Sequence, residues 1–383
     1  MTDHFVFARI LDRFLPALKQ TKRISPDQAT TCQNILNCHT SVLGGLDYAC
    51  GQCGSRYPRY HSCRHRHCPQ CQQTASHRWV EARQKDVLPV PYYHLVFTLP
   101  HDLNGWAQCH PEVIYQRLFR CVWECLDDYS RSNRQLQGKL GMTAVLHTWG
   151  QSLDQHVHLH CLIPGGAIDT QGGFMTTRRD FLYPQRVLAK LLRGKLVSAL
   201  RQDHAAGKLH RIAPQQVDAV LDKLMRTDWV IHTKPHLRQA DTVLRYLARY
   251  THRTAISLSR IESVDQTSVR FRWKDYRDDR AKTMVLPGEE FLRRFLLHVL
   301  PKGLMRIRHY GYLANRVRVT RLKQIREKLS PQHCSEVGLP EPQPLCSERP
   351  KERCPKCKSG YLNLVGEILS ARQRRQCGLA VNP

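Results

Sequence analysis

Acidic residues are the scarce class in this chain, 32 Asp and Glu against 59 Lys and Arg over 383 residues, leaving a formal net charge of +27. The surplus runs along the whole chain rather than collecting in a tail. A compact body with that charge repels itself until a polyanion neutralises it. Nucleic acid, whose phosphates bind independently of sequence and release with salt, is the expected polyanion. Charge by itself does not separate DNA from RNA, or either from anionic lipid, but other absences bear on lipid. No run of about 20 apolar residues is present to span a bilayer, and no basic amphipathic helix carries a lipid signal. The opening stretch MTDHFVFARILDRFLPALKQ patterns as an amphipathic helix with charges inside the apolar stripe and no small-residue cleavage site. That pattern is not the one expected of a secretory signal, and the cytoplasm is the expected location. No internal repeat of fixed period is present.

What is there points to a folded, metal-binding protein. The apolar content of 41% is ordinary for a buried core and excludes a disordered scaffold, and the length allows two domains or three. Sixteen cysteines without a secretory signal imply reduced thiols, and CxxC pairs in that setting mean zinc. Composition divides the chain into an N-terminal helix with a Cys- and His-rich stretch over 1–88 and an α+β catalytic domain over 89–300. The third part, 301–383, holds a basic helical segment, a Pro- and Ser-rich linker and a final CPKC.

Cys50 and Cys53 form one CxxC and Cys68 and Cys71 another, 14 residues apart. Two residues between cysteines let a tight turn aim both sulfurs at one ion about 2.3 Å away, and four thiolates close a structural zinc shell. Cys38, His61, Cys63 and His67 lie in the same stretch, so the ligand set is open to exchange or to a second ion. Arg56, Arg59, Arg64, Arg66 and Arg78 surround the knuckles and are candidates for gripping DNA phosphates. Cys354 and Cys357 make a third CxxC, half of a possible second zinc site, with Cys334, Cys346 and Cys377 nearby.

The segment HVHLHCLIPGG alternates His156, His158 and His160 with Val157, Leu159 and Cys161, the period-two pattern of a half-buried strand. Imidazoles at i and i+2 project side by side and present two nitrogens to one metal. If the upstream strand TAVLHTWG pairs antiparallel through a turn around Ser152–Leu153, His147 falls opposite His158 as third ligand. His94, in the strand YYHLVFTLP, competes for that place.

In DTVLRYLARYTHRTAIS, Val243, Leu247 and Ala248 recur at helical spacing, which puts Tyr246 and Tyr250 one turn apart on one face. Alone, two such tyrosines are usually core packing. With the histidine strand and the charge beside them they read as nucleophiles that attack a metal-bound phosphate, with Arg249 and Arg253 on the backbone of the same strand.

The combination resembles the rolling-circle transposases of bacterial insertion-sequence family ninety-one, HUH enzymes with one or two tyrosines. The likeness runs through SCRHRHCPQCQ, YYHLVFTLP, VLHTWGQSLDQHVHLHCLIPGG, VLRYLARYTHRTAIS and EFLRRFLLHVLPKGLMRIRHYGYLAN, in that order. It implies that His158 and His160 are the HUH pair holding Mg or Mn, with His156 an extra histidine, and that Tyr246 and Tyr250 are the catalytic tyrosines. It further implies a five-stranded antiparallel sheet with the HUH strand central, and nicking of single-stranded DNA through a 5′-phosphotyrosine. A plasmid replication initiator or relaxase shares that chemistry, and a nonenzymatic zinc-containing DNA-binding protein is the alternative without it. Oligomeric state is not legible.

Overall fold

The computed structural model describes residues 5–133, 136–177, 183–237, 243, 253–275, 278–329 and 352–380. In chain order the strands begin with β1 (Gly45–Cys50), β2 (Arg56–Tyr60), β3 (Tyr92–Thr98), β4 (Gly141–Trp149) and β5 (Gln155–Pro164). They continue with β6 (Gly166–Ile168), β7 (Phe174–Thr176), β8 (Ile231–Leu237), β9 (Ile261–Val264), β10 (Ser268–Asp275), β11 (Arg280–Pro287), β12 (Ile307–Gly311) and β13 (Leu362–Ile368). The main sheet has five strands in the order β12-β4-β5-β3-β8, every neighbour antiparallel, with β5 in the centre. This is the mixed α and β architecture with a five-stranded antiparallel sheet that the sequence led us to expect.

The two faces of that sheet differ because side chains alternate along each strand. Val157, Leu159, Cys161 and Ile163 of β5, Ala144 and Leu146 of β4, and Tyr93, Leu95 and Phe97 of β3 are all buried in one apolar core. The helix Pro111–Ser132 joins them through Ile114, Leu118, Phe119, Val122 and Leu126, which recur every three or four residues. Each such side chain taken out of water stabilises the fold by about 1.5–3 kcal/mol. The opposite face is left to His147, His156, His158, His160 and His94.

A second core lies under the N-terminus. The helix Val6–Thr21 sets Phe7 against Phe291 and Phe295, with ring centroids 6.1 and 4.6 Å apart, and shares its core with Phe271, Leu292, Cys38, Cys68 and Cys71. Trp149 and Leu153, from the β4–β5 hairpin, belong to the same core. The next helix, Pro26–Leu36, starts at a capping box in which Ser25 and Gln28 exchange hydrogen bonds, with Pro26 at its first turn.

The described residues of 301–383 contribute strands to two sheets. β12 is an edge strand of the main sheet, pairing Ile307 with Val145, whereas β13 pairs with β1 in a small sheet of order β13-β1-β2. The helix Val6–Thr21 packs on the helix Gly288–Leu296 and shares a core with Cys38, Cys68 and Cys71 of the Cys-rich stretch. Apolar complementarity, not sequence proximity, sets these groupings. Among the described residues no helix is long and apolar enough to cross a membrane.

Candidate metal centres and active site

β4 and β5 meet in the register that sets His147 directly against His158 and Val145 against His160. One ring nitrogen from each of His147, His158 and His160 lies within 4.8 Å of the others, near the roughly 3–4 Å that separates two ligands of one ion. His158 Nδ1 is 2.8 Å from the His156 carbonyl. A carbonyl only accepts, so Nδ1 carries the proton and Nε2 is left with the lone pair a metal requires. Burial holds the His158 imidazole down to about 4, with His156 and Arg253 adding to the effect and the His156 carbonyl opposing it. It is therefore neutral at pH 7, the state in which an imidazole can bind a metal.

His94 and His156, the alternates for this site, take other places. His94 is buried on the same face, and its Nε2 lies 3.0 Å from His160 Nδ1, the rings stacked at 15°. It is thus a partner of His160 rather than a member of the triad. The His156 ring stands 4.9 Å from His158 and 5.6 Å from His101, outside the group. A cleft of about 630 Å³ covers the triad, with Trp149, Trp229, His101 and Arg253 among its described lining residues. Trp149 stacks on His147 at 4.6 Å.

The turn that joins the two histidine strands is held from behind. Leu153 adopts a left-handed φ of 61°, strained for a residue with a Cβ. His298 Nε2 donates to its carbonyl at 3.1 Å, which leaves Nδ1 to accept from the Thr148 hydroxyl at 3.2 Å. No pattern in the sequence singled out His298.

Tyr246, Tyr250 and Arg249 lie outside the described residues. Val243 before them is buried with Tyr92 and Leu162, and Arg253 after them lines the cleft.

Two family profiles match the chain: one described as "Putative transposase" over residues 141–321, the other as "Transposase zinc-binding domain" over residues 10–99. The putative transposase y4qJ of Sinorhizobium fredii (strain NBRC 101917 / NGR234) is 39% identical over 367 residues, 94% of this chain and 88% of that protein. The transposase for insertion sequence element IS801 of Pseudomonas savastanoi pv. phaseolicola is 28% identical over 317 residues, 79% of this chain and 74% of that protein. The chain belongs to the transposases of insertion-sequence family ninety-one. No solved structure matches it.

In this transposase the thiols sort differently from their spacing. The expected quartet of Cys50, Cys53, Cys68 and Cys71 is not brought together: the two pairs go to different groups. Cys68 and Cys71 join Cys38 and Cys63, with Cys63 and Cys71 sulfurs 3.7 Å apart. Cys50 and Cys53 instead face Cys354 and Cys357. The reason is that β1 and β2 carry Cys50 and Cys53 away from the core while Cys68 and Cys71 are buried in it. Within the core group, hydrogen bonds from Cys38, Cys63 and Cys68 pull the Cys71 thiol down, and its partners Cys38 and Cys68 are pushed up. Neither Cys38 nor Cys63 sits in a CxxC, so only their proximity in sequence hinted at the role.

His67 is not part of either group. It is buried, its Nε2 accepts from the Leu300 N–H at 3.2 Å, and burial first, then Arg306 and Arg66, hold it well below the usual imidazole range. Arg66, expected on phosphate, donates to the carbonyls of Leu304, Leu300 and Pro301 at 2.5, 2.9 and 2.7 Å. Together they tie the knuckle to the segment that leads into β12. Arg64, at a φ of 53°, and Arg253 are exposed and stay available to a polyanion.

Proposed function

We propose that this transposase nicks and rejoins single-stranded DNA through a 5′-phosphotyrosine, with Tyr250 or Tyr246 as nucleophile and the histidine face of β4 and β5 as the metal-holding floor. The observation that carries the reading is the convergence of His147, His158 and His160 in one cleft. Mg or Mn held there would polarise the scissile phosphate and stabilise its developing charge. An all-imidazole set suits a borderline ion, and oxygen from the phosphate completes the preference of a harder one.

The residues supply the rest. His158 presents Nε2 because His156 engages Nδ1. If His160 likewise binds through Nε2, its Nδ1–H donates to His94 Nε2, a support that fixes ring orientation. Arg253 on the cleft wall neutralises the strand that is held. In the step itself a phenol oxygen bonds to phosphorus, the P–O3′ bond breaks, and the 3′-oxygen leaves as a hydroxyl with the proton given up by tyrosine. Reversal of that exchange by a new 3′-hydroxyl rejoins the strand. The excess charge binds phosphate independently of sequence. The group Cys38, Cys63, Cys68 and Cys71, buried beside the hairpin turn, reads as a structural zinc site that steadies the triad's turn from below.

The deciding experiment is incubation with single-stranded oligonucleotides and Mn, followed by mass spectrometry of the denaturant-resistant adduct. A peptide bearing Tyr246 or Tyr250 linked to a 5′-phosphate is expected. His158→Ala and His160→Ala should remove the adduct while salt-sensitive DNA binding persists. An adduct that survives the double change Tyr246→Phe, Tyr250→Phe assigns the nucleophile elsewhere.

A further inference from the structure

Outside the cleft, one of the two four-thiol groups joins distant parts of the chain. Cys50 and Cys357 sulfurs are 3.6 Å apart, and Cys53 and Cys354 sulfurs 3.7 Å. Four thiolates at about 2.3 Å from one ion in a tetrahedron stand about 3.8 Å from each other, whereas a disulfide needs about 2.0 Å. The separations are those of a metal shell.

The two knuckles have the same local build. In the first, the Gly54 N–H donates to the Cys50 carbonyl at 3.0 Å and Gly54 is left-handed at φ 69°. In the second, the Lys358 N–H donates to the Cys354 carbonyl at 2.9 Å and Lys358 is left-handed at φ 59°. Backbone N–H groups also point at the sulfurs: Gln52 and Cys53 at Cys50 Sγ, 3.4 and 3.5 Å, and Gly360 at Cys357 Sγ, 3.3 Å. Such bonds favour the thiolate over the thiol. A Cβ at Gly360 would stand 2.5 Å from Cys50 Sγ, so the close approach of the halves needs glycine there. The β1–β13 ladder aligns them, with Cys50 opposite Leu362.

We propose that Cys50, Cys53, Cys354 and Cys357 form a second tetrathiolate zinc site, which clasps the C-terminal segment to the N-terminal module. The site is split across the chain, so the small sheet β13-β1-β2 is complete only when the C-terminus has been made and has returned to it. The proposal stands apart from the nicking reaction and is tested without it.

Zinc content of the full-length protein by metal analysis is expected at two ions per chain, falling to one in Cys354→Ser/Cys357→Ser. Substitution with cobalt should show tetrahedral thiolate bands that halve in the same variant. A second measurement keeps all cysteines intact, in case the variant does not fold. A site-specific protease sequence is inserted after Gly338 and the chain is cut there. With zinc the C-terminal fragment should co-elute with the body on size exclusion, and a chelator should release it. Zinc content that does not fall from the unaltered protein to the variant, or a fragment that separates in the presence of zinc, overturns the clasp.

Discussion

The buried imidazole of His298 offers a quantitative check on how the triad's hairpin is held. It is 1% exposed and bridges the Thr148 hydroxyl and the Leu153 carbonyl. Burial holds it at about 4 against an ordinary 6.5, with the Leu153 carbonyl and Asp154 opposing. The native state therefore favours neutral His298. Its contribution is fully present above pH 6.5 and is lost as pH falls from 6.5 through about 4. The drop from 6.5 to about 4, at about 1.4 kcal/mol per unit, amounts to about 3 kcal/mol, of which about 2 kcal/mol is gone at pH 5.

His298→Gln keeps an amide donor and acceptor but cannot titrate. At pH 7 it should be less stable than the parent by about 1–3 kcal/mol, because one of the two buried bonds is made poorly. Urea unfolding at pH 7, 6 and 5 should then show the gap between the two proteins shrinking by about 2 kcal/mol. His158 and His309 are also held near 4 by burial, but they titrate in both proteins and cancel in the difference. A gap that stays constant from pH 7 to pH 5 would refute the placement of a neutral, doubly bonded imidazole under the turn.

Other expectations concern the supports of the two sites. His94→Ala should raise the Mn concentration needed for adduct formation by about 10–100-fold, with saturating Mn restoring the yield, because only the outer support of His160 is removed; an unaltered Mn dependence would deny His94 that role. Arg66→Ala should cost about 3 kcal/mol or more in unfolding free energy, since it strips three backbone carbonyls of a charged donor. Arg64→Ala should leave stability within about 0.5 kcal/mol and weaken oligonucleotide binding. Equal effects on stability would show that the two arginines do not divide as described.

Much of the main site was legible before any coordinates. Alternation in HVHLHC determined that His156, His158 and His160 share a face, because a strand turns successive side chains to opposite sides. The short connection around Ser152–Leu153 made the hairpin register readable, and with it His147 opposite His158. The charge surplus pointed to a polyanion from composition alone. Spacing also paired Cys50 with Cys53, Cys68 with Cys71 and Cys354 with Cys357, and each pair stays together in one group.

Only the tertiary structure decided which knuckles share a site. CxxC reports a local turn, and a turn says nothing about which second pair will meet it. That depended on β13 returning to β1 from the far end of the chain and on Cys68 and Cys71 sinking into the core with Cys38 and Cys63. The same holds for the assignment of Arg66 and His67 to the backbone of 300–304, and for His298 under the hairpin. Each is a long-range contact fixed by packing and by the requirement that buried polar groups find partners, and neither condition leaves a period or a motif in the local sequence.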